Sequence, residues 1–349
     1  MKRFFLPLAA LALTAPALAQ EEPPTAPSPG EIVDAAPQAD WQVIAPEDLL
    51  VMTLAPAADG AARQVVIQLM PPPFSQGWVE NIRTLARAQW YDGISINRVQ
   101  DNYVAQWGDP ADPDAGETPK PLPEGLRTLS EEDYVVTDQR LVTALQDGFR
   151  EQKLGSASQA LLQAMGAEQP TLQGIRRNPA GNPDPYSALS GFLGGWPVGA
   201  DLRTVWPTHC YGAVGVARGM SPNTGSGADL YTVIGHAPRH LDRNIAVVGR
   251  VIEGIEHLAS LPRGKGPLGF YLDASRRVPI ASVRVASDLP EGEQPRFEYL
   301  DTTSETFAQY ADARANRRDP FFIVPAGGAD ICNIPVPVRR STNQDAAGE

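Results

Sequence analysis

At 349 residues the chain is long enough for one large domain or two ordinary ones and can bury a sizeable core, so fold size excludes little. Its 34 prolines are about twice the usual share of roughly 5%, which assigns much of the chain to loops and irregular connections. With 29 Lys and Arg against 41 Asp and Glu the net charge is -12, and an acidic surface argues against a nucleic-acid ligand, whose binding rests on cationic contacts to phosphate.

Residues 1–19 read as a secretory signal peptide: Lys2 and Arg3 form the positive end, Phe4 to Leu13 the apolar run, and Ala17-Leu18-Ala19 a small-x-small cleavage site. That apolar run falls well short of the ~20 residues that span a bilayer, so no stable membrane insertion is expected after cleavage. The mature chain is then expected to be periplasmic or secreted. Residues 20–40, beginning Gln20-Glu21-Glu22-Pro23-Pro24, are rich in Pro, Ala and Ser and read as a flexible linker.

Leu49 to Leu54 and Gln64 to Leu69 are runs of strand length joined by a turn with a glycine at position 60, which predicts an antiparallel hairpin. Pro71-Pro72-Pro73 stops the second strand, and Val79, Ile82, Leu85 and Ala86 then repeat with helical spacing. Ser95 to Gln100 and Tyr103 to Trp107 read as two further strands. Residues 110–205 change character, with turn-like Asp109 to Asp114, helical patches over Glu131 to Leu162 and a Gly/Pro-rich stretch from Asn178 to Pro197, and read as an insertion on the surface of the core. Short β-rich runs return at Ala213 to Val216, Tyr231 to Ile234 and Ile245 to Val251. Gly254 to Leu261 supplies a second amphipathic helix, and Ile280 to Val285 alternates as a closing strand. Residues 288–349 form a C-terminal extension with a helical stretch, Ser304 to Ala315. Many strands with two clear helices predict a mainly β fold, a barrel or sandwich closed by helices.

Two cysteines, Cys210 and Cys332, fall in the exported part, where a disulfide is permitted; two buried thiols packed as small hydrophobes are the alternative. Asp112, Asp114 and Gly116 faintly resemble a calcium loop, but Pro113 and the missing twelfth-position carboxylate favour a solvated turn. His209 and Cys210 are neighbours and would point to opposite strand faces, which rules out a dyad there. His236, His240 and His257 lack metal-ligand spacing. Neither a metal nor a cofactor is expected.

One constellation is specific. Val79-Glu80-Asn81-Ile82-Arg83-Thr84-Leu85 is followed by Ile96-Asn97-Arg98-Val99 and by Tyr103-Val104-Ala105-Gln106-Trp107-Gly108-Asp109. After the insertion come Ala217-Arg218-Gly219-Met220-Ser221-Pro222-Asn223, then Ala228 to Thr232, His240-Leu241-Asp242 and Val247-Val248-Gly249-Arg250-Val251. In order and spacing these resemble the cyclophilin-type peptidyl-prolyl cis/trans isomerases. The resemblance implies a closed eight-stranded antiparallel barrel capped by two helices over residues 41–287, interrupted by the insertion.

It also implies the chemistry. Arg98 matches the family's catalytic arginine and Gln106 the glutamine that contacts substrate backbone and helps orient that arginine. Tyr103, Val104, Ala217, Arg218, Tyr231, His240 and Leu241 match positions around the proline pocket. Asn97 and Ile245 replace family histidines, His240 replaces a tryptophan, and Asp229 replaces a glutamine. Isomerisation needs no nucleophile: an apolar pocket for the ring and a fixed cation that favours the twisted amide suffice. The expected function is isomerisation of X-Pro bonds of exported proteins during folding, with proline-containing polypeptides as partners. The competing expectation is a catalytically weak cyclophilin-like binding or chaperone module.

Overall fold

In a computed structural model of the chain, residues 26–111, 116–143 and 184–341 are described. The leader, residues 20–25 of the expected linker, the Asp112-Asp114 turn and most of the helical patches after Glu131 lie outside them.

Eight strands close into an antiparallel barrel: β2 (Leu49–Leu54), β3 (Arg63–Leu69), β4 (Ser95–Val99), β5 (Val104–Gly108), β9 (Ala213–Val216), β10 (Leu230–Val233), β11 (Val247–Glu253) and β12 (Val278–Val285). Around the barrel their order is β10-β5-β4-β12-β2-β3-β11-β9. The expected hairpin is the β2/β3 pair, in register from Leu49 opposite Gln68 to Leu54 opposite Arg63. Its apolar run is nearly continuous because both faces are covered. Leu50, Met52 and Leu54 point into the barrel core, while Leu49 and Val51 join Val66, Ala286 and Phe297 in a second cluster outside it.

Two helices cap the barrel. α2 (Gln76–Arg87) buries Trp78, Val79, Ile82, Leu85 and Ala86, the face its spacing predicts. α3 (Glu256–Ala259) is a single turn, shorter than the expected Gly254 to Leu261, and anchors through buried Leu258. Gly254 enters it at φ +80°, where a Cβ would stand 2.0 Å from the Gln64 carbonyl oxygen, so only glycine passes this point.

Two expectations are corrected. Residues 26–40 are not a flexible linker: Ser28 caps α1 (Pro29–Asp34) in a reciprocal capping box with Glu31. Ile32 and Val33 pack on the cluster of Trp41, Phe307 and Tyr310. Nor does the insertion merely lie on the surface. β6 (Leu189–Leu193), β7 (Trp196–Ala200) and β8 (Val205–Pro207) form a meander whose Trp196, Val198, Ala200 and Val205 belong to the main core. The C-terminal extension pairs with the segment just ahead of the barrel. β1 (Trp41–Val43) lies beside β13 (Phe297–Leu300), which takes β14 (Val338–Arg340) on its other edge. α4 (Glu305–Ala315) follows β13 and buries Phe307 and Tyr310. Residues 26–40 and the C-terminal extension, which look polar in isolation, are held here by burial against each other.

Of the two alternatives left open for the cysteines, the disulfide is the one formed: Cys210 bonds Cys332 across a separation of 122 residues and ties the turn between β8 and β9 to the C-terminal extension. Replacing both by serine is expected to cost about 2–4 kcal/mol of unfolding free energy, chiefly by freeing the unfolded chain, as chemical denaturation would read it.

Candidate active site

The site is built from a row of residues across four neighbouring strands. β4 and β5 pair with Ile96 opposite Trp107, and continued regularly this register would set Asn97 against Gln106. An irregularity between Ile96 and Arg98 instead sets Arg98 against Gln106. The extra residue turns Arg98 onto the face it shares with the glutamine, a standard effect of a bulge. On the other edge of β5, Tyr231 of β10 lies opposite Gln106. Next along the row, Gly215 of β9 lies opposite Tyr231, and any Cβ there would sit 2.3 Å from the tyrosine hydroxyl. The Tyr231 ring therefore rests on bare backbone.

Arg98 is held on all sides. Its Nη1 donates to Gln106 Oε1 at 2.9 Å, Nε donates to the Leu268 carbonyl at 2.7 Å, and Nη2 donates to Gln100 Oε1. The guanidinium carbon lies 5.8 Å from the Tyr103 ring centre and 5.6 Å from that of Phe270. All three hydrogen-bonded partners are neutral oxygens, so the charge is positioned without being cancelled. Partial burial moves its pKa below the ordinary arginine value, with Tyr103 and Tyr231 opposing; an arginine nonetheless stays protonated. Of its five N–H donors, two remain, one on each terminal nitrogen, for a ligand.

Beside this cation is a cavity of about 250 Å³. Tyr103, Val104, Tyr231, Ala217, Arg218 and Leu241 line it with Arg98 and Gln106, as their sequence positions imply. His240 does not. It is exposed, and its ring stacks on Tyr103 at 6.4 Å with 13° between the planes, so it braces a wall instead of forming one. Arg218 donates Nε to the Asn244 carbonyl at 3.0 Å and Nη1 to that of Gly219 at 2.9 Å, which holds its side chain along the rim. Ile245, at the position of a family histidine, adds apolar wall.

Leu268 and Phe270 complete the lining, and sequence reasoning missed both. They lie some 170 residues from Arg98, on a loop whose only local sign is the glycines at 264, 266 and 269. His209, set aside as half of an implausible dyad with Cys210, has a different role. It is fully buried, its Nδ1 lies 2.9 Å from Asp242 Oδ1, and its Nε2 lies 2.9 Å from the Tyr231 hydroxyl. With the carboxylate accepting from Nδ1–H, the tyrosine hydroxyl donates to Nε2. Arg239 donates Nε to the second Asp242 oxygen at 2.6 Å and Nη2 to Asp184 at 3.1 Å. Burial pushes the Tyr231 hydroxyl's pKa well up, so it is neutral in this chain of contacts.

A second cavity of about 590 Å³ opens beyond Gln106, between Ala217 to Asn223 and the 127–129 segment. Asp229 lines it and packs on Gly108, where an added Cβ would stand 1.6 Å from its Oδ1. Burial, reinforced by Asp109, raises the Asp229 pKa from 3.8 to about 6. The native state thus binds this proton more tightly than the unfolded chain, and stability contributed by the group falls as pH rises from about 4 through 6. Asp229→Asn is expected to be more stable than the parent at pH 7 and indistinguishable from it near pH 3.5, read from thermal midpoints across that range.

Among the described residues, no cluster of three or more His, Cys, Asp or Glu could hold a metal ion, and no helix is long and apolar enough to cross a membrane. A hollow with apolar and aromatic walls, Arg98 fixed beside it and Arg218 held along its rim, is suited to binding a proline ring and polarising the amide beside it.

Comparison with known proteins agrees with this geometry. The family model for cyclophilin type peptidyl-prolyl cis-trans isomerases matches residues 65–285, well over half of the chain. The crystal structure of cyclophilin AquaCyp293 from Hirschia baltica superposes with a TM-score of 0.57 at 21% identity, covering 87% of this chain and 96% of that one. A cyclophilin type peptidyl-prolyl cis-trans isomerase of Cryptosporidium parvum matches at 12% identity, with a TM-score of 0.34 over 68% of this chain and 96% of that one. A search of curated protein sequences finds no significant match. The family model, the closed eight-stranded barrel and the order of its motifs together establish that the chain belongs to the cyclophilin-type peptidyl-prolyl cis-trans isomerases.

Proposed function

We propose that the protein accelerates cis/trans isomerisation of X-Pro bonds in exported proteins as they fold, acting outside the cytoplasm and without a cofactor. The observation that carries the reading is Arg98 pinned beside Gln106, with two free donors, at the mouth of a hollow of about 250 Å³. The amide C–N bond resists rotation by about 18–20 kcal/mol because of its partial double-bond character. As it twists, the nitrogen lone pair localises and the nitrogen becomes pyramidal. A guanidinium fixed near that nitrogen stabilises the twisted form more than the planar one, while Tyr103, Val104, Tyr231 and Leu241 hold the ring. A useful 10⁵-fold acceleration asks for about 7 kcal/mol of such preference.

Export is supported by the leader-like residues 1–19 and by the Cys210–Cys332 bond, which suits an oxidising compartment. Cell fractionation with N-terminal sequencing tests it: a mature chain starting at Gln20 outside the cytoplasm is expected, and a cytoplasmic chain retaining Met1 refutes it. Exchange spectroscopy on a proline peptide tests the activity.

A second reading is a catalytically weak binding or chaperone module. The replacement of family histidines by Asn97 and Ile245, and of the family glutamine by Asp229, favours it. Peptide binding without acceleration is its signature.

A further inference from the structure

The loop over residues 264–272 presents an apolar surface that the barrel does not use. Leu268 is 66% exposed, Phe270 36% and Leu272 75%, whereas Tyr271 between the last two is buried at 4%. The alternation follows from extended backbone: Phe270 bridges Arg98 of β4, and the Tyr271 N–H donates to the Asn97 carbonyl at 2.9 Å, so Tyr271 faces inward and its neighbours outward. Leu268 sits at φ +55°, in the left-handed region that costs a branched side chain energy. That conformation aims its carbonyl at Arg98 Nε. The loop is also close-packed: a Cβ on Gly264 would meet the Gly269 oxygen at 1.9 Å, and one on Gly269 would meet Gln100 Cα at 2.8 Å. Strain and close packing that hold apolar side chains out in water, at the edge of a binding cavity, indicate a surface kept for a ligand.

We propose that Leu268, Phe270 and Leu272 form a shelf for an apolar or aromatic side chain on the residue that follows the proline. This rests on the isomerase reading above. The shelf is continuous with the proline hollow, since Leu268 and Phe270 line both. Arg98 marks where the prolyl amide lies, and the loop that accepts from its Nε and bridges its backbone stands beside that point, next to the residues bonded to the proline. The preferred substrates are X-Pro-Phe and X-Pro-Leu segments, the apolar stretches a folding chain exposes before its core closes.

The test uses the mature chain and peptides Ala-Ala-Pro-Zaa-Ala with Zaa as Phe, Leu, Ala or Lys. Binding is followed by NMR titration and isomerisation by exchange spectroscopy, for the parent, Leu272→Ser and Leu268→Ser, with thermal midpoints as a folding control. Phe and Leu peptides are expected to bind on the order of tenfold more tightly than the Lys peptide, the discrimination one buried apolar group supplies. Each serine variant is expected to bring that ratio close to one. Equal affinity for all four peptides, or a preference that both variants retain, overturns the shelf while leaving the isomerase reading standing. The preference without any isomerisation supports the shelf and refutes the activity; no binding of any peptide overturns both.

Discussion

Arg98→Ala is expected to lower kcat/KM for a proline peptide by about 10²–10³-fold, the usual cost of losing one preorganised donor that acts in the transition state. Its fold should survive, because Arg98 is only partly buried and its partners Gln106, Gln100 and the Leu268 carbonyl lie where water can replace it. Arg98→Lys is expected to recover little, since an ammonium cannot donate to Gln106, Gln100 and Leu268 in one plane while keeping donors free. Gln106→Ala should cost less, about tenfold, because Leu268 and Gln100 still hold the guanidinium and only one of three restraints is lost. Exchange spectroscopy on the purified variants, with circular dichroism to confirm folding, measures all three. Equal rates for the parent and Arg98→Ala would remove the arginine from the mechanism.

The largest effect on stability is expected from Asp242→Ala, at about 3–5 kcal/mol. Asp242 is 5% exposed and serves two buried partners at once: the ring and backbone N–H of His209, and the Arg239 guanidinium. Without it a cation with a 2% exposed side chain keeps, among the described carboxylates, Asp184 and a distant Asp330, 4.0 Å away. His209 also loses the acceptor that fixes its tautomer, so its hold on the Tyr231 hydroxyl weakens and the pocket wall loosens. Asp242→Ala should therefore raise KM for peptide as well as lower the urea midpoint. Asp242→Asn, which keeps size and one acceptor, is expected to lose less of both. A variant that unfolds at the parent's midpoint would show that the chain from Arg239 to Tyr231 contributes nothing net.

Much of this was written in local pattern. The β2/β3 hairpin, the buried face of α2 and the strands bearing Arg98 and Gln106 follow from apolar periodicity, a turn glycine and a proline stop, all of which act within a few residues. The motifs carried the family and, with it, the neighbours of Arg98. What they did not carry is the bulge at Asn97, since a one-residue shift in pairing leaves composition and periodicity unchanged while reversing which side chains share a face. Nor could His240 be placed. Its motif position suggested a pocket wall, and the short turn around Arg239–Leu241 sets it behind Tyr103 instead.

By itself, then, the sequence determined a mainly β fold with one arginine and one glutamine on adjacent strands, and its motif order implied the barrel, because strand period, turn chemistry and motif order are local properties of a chain. Tertiary structure alone decided that Leu268 and Phe270 reach Arg98, that His209 props Tyr231, and that residues 26–40 lie ordered against the C-terminal extension. Those contacts join segments far apart in the chain, and each forms only because the sum of burial elsewhere has already fixed both partners in place.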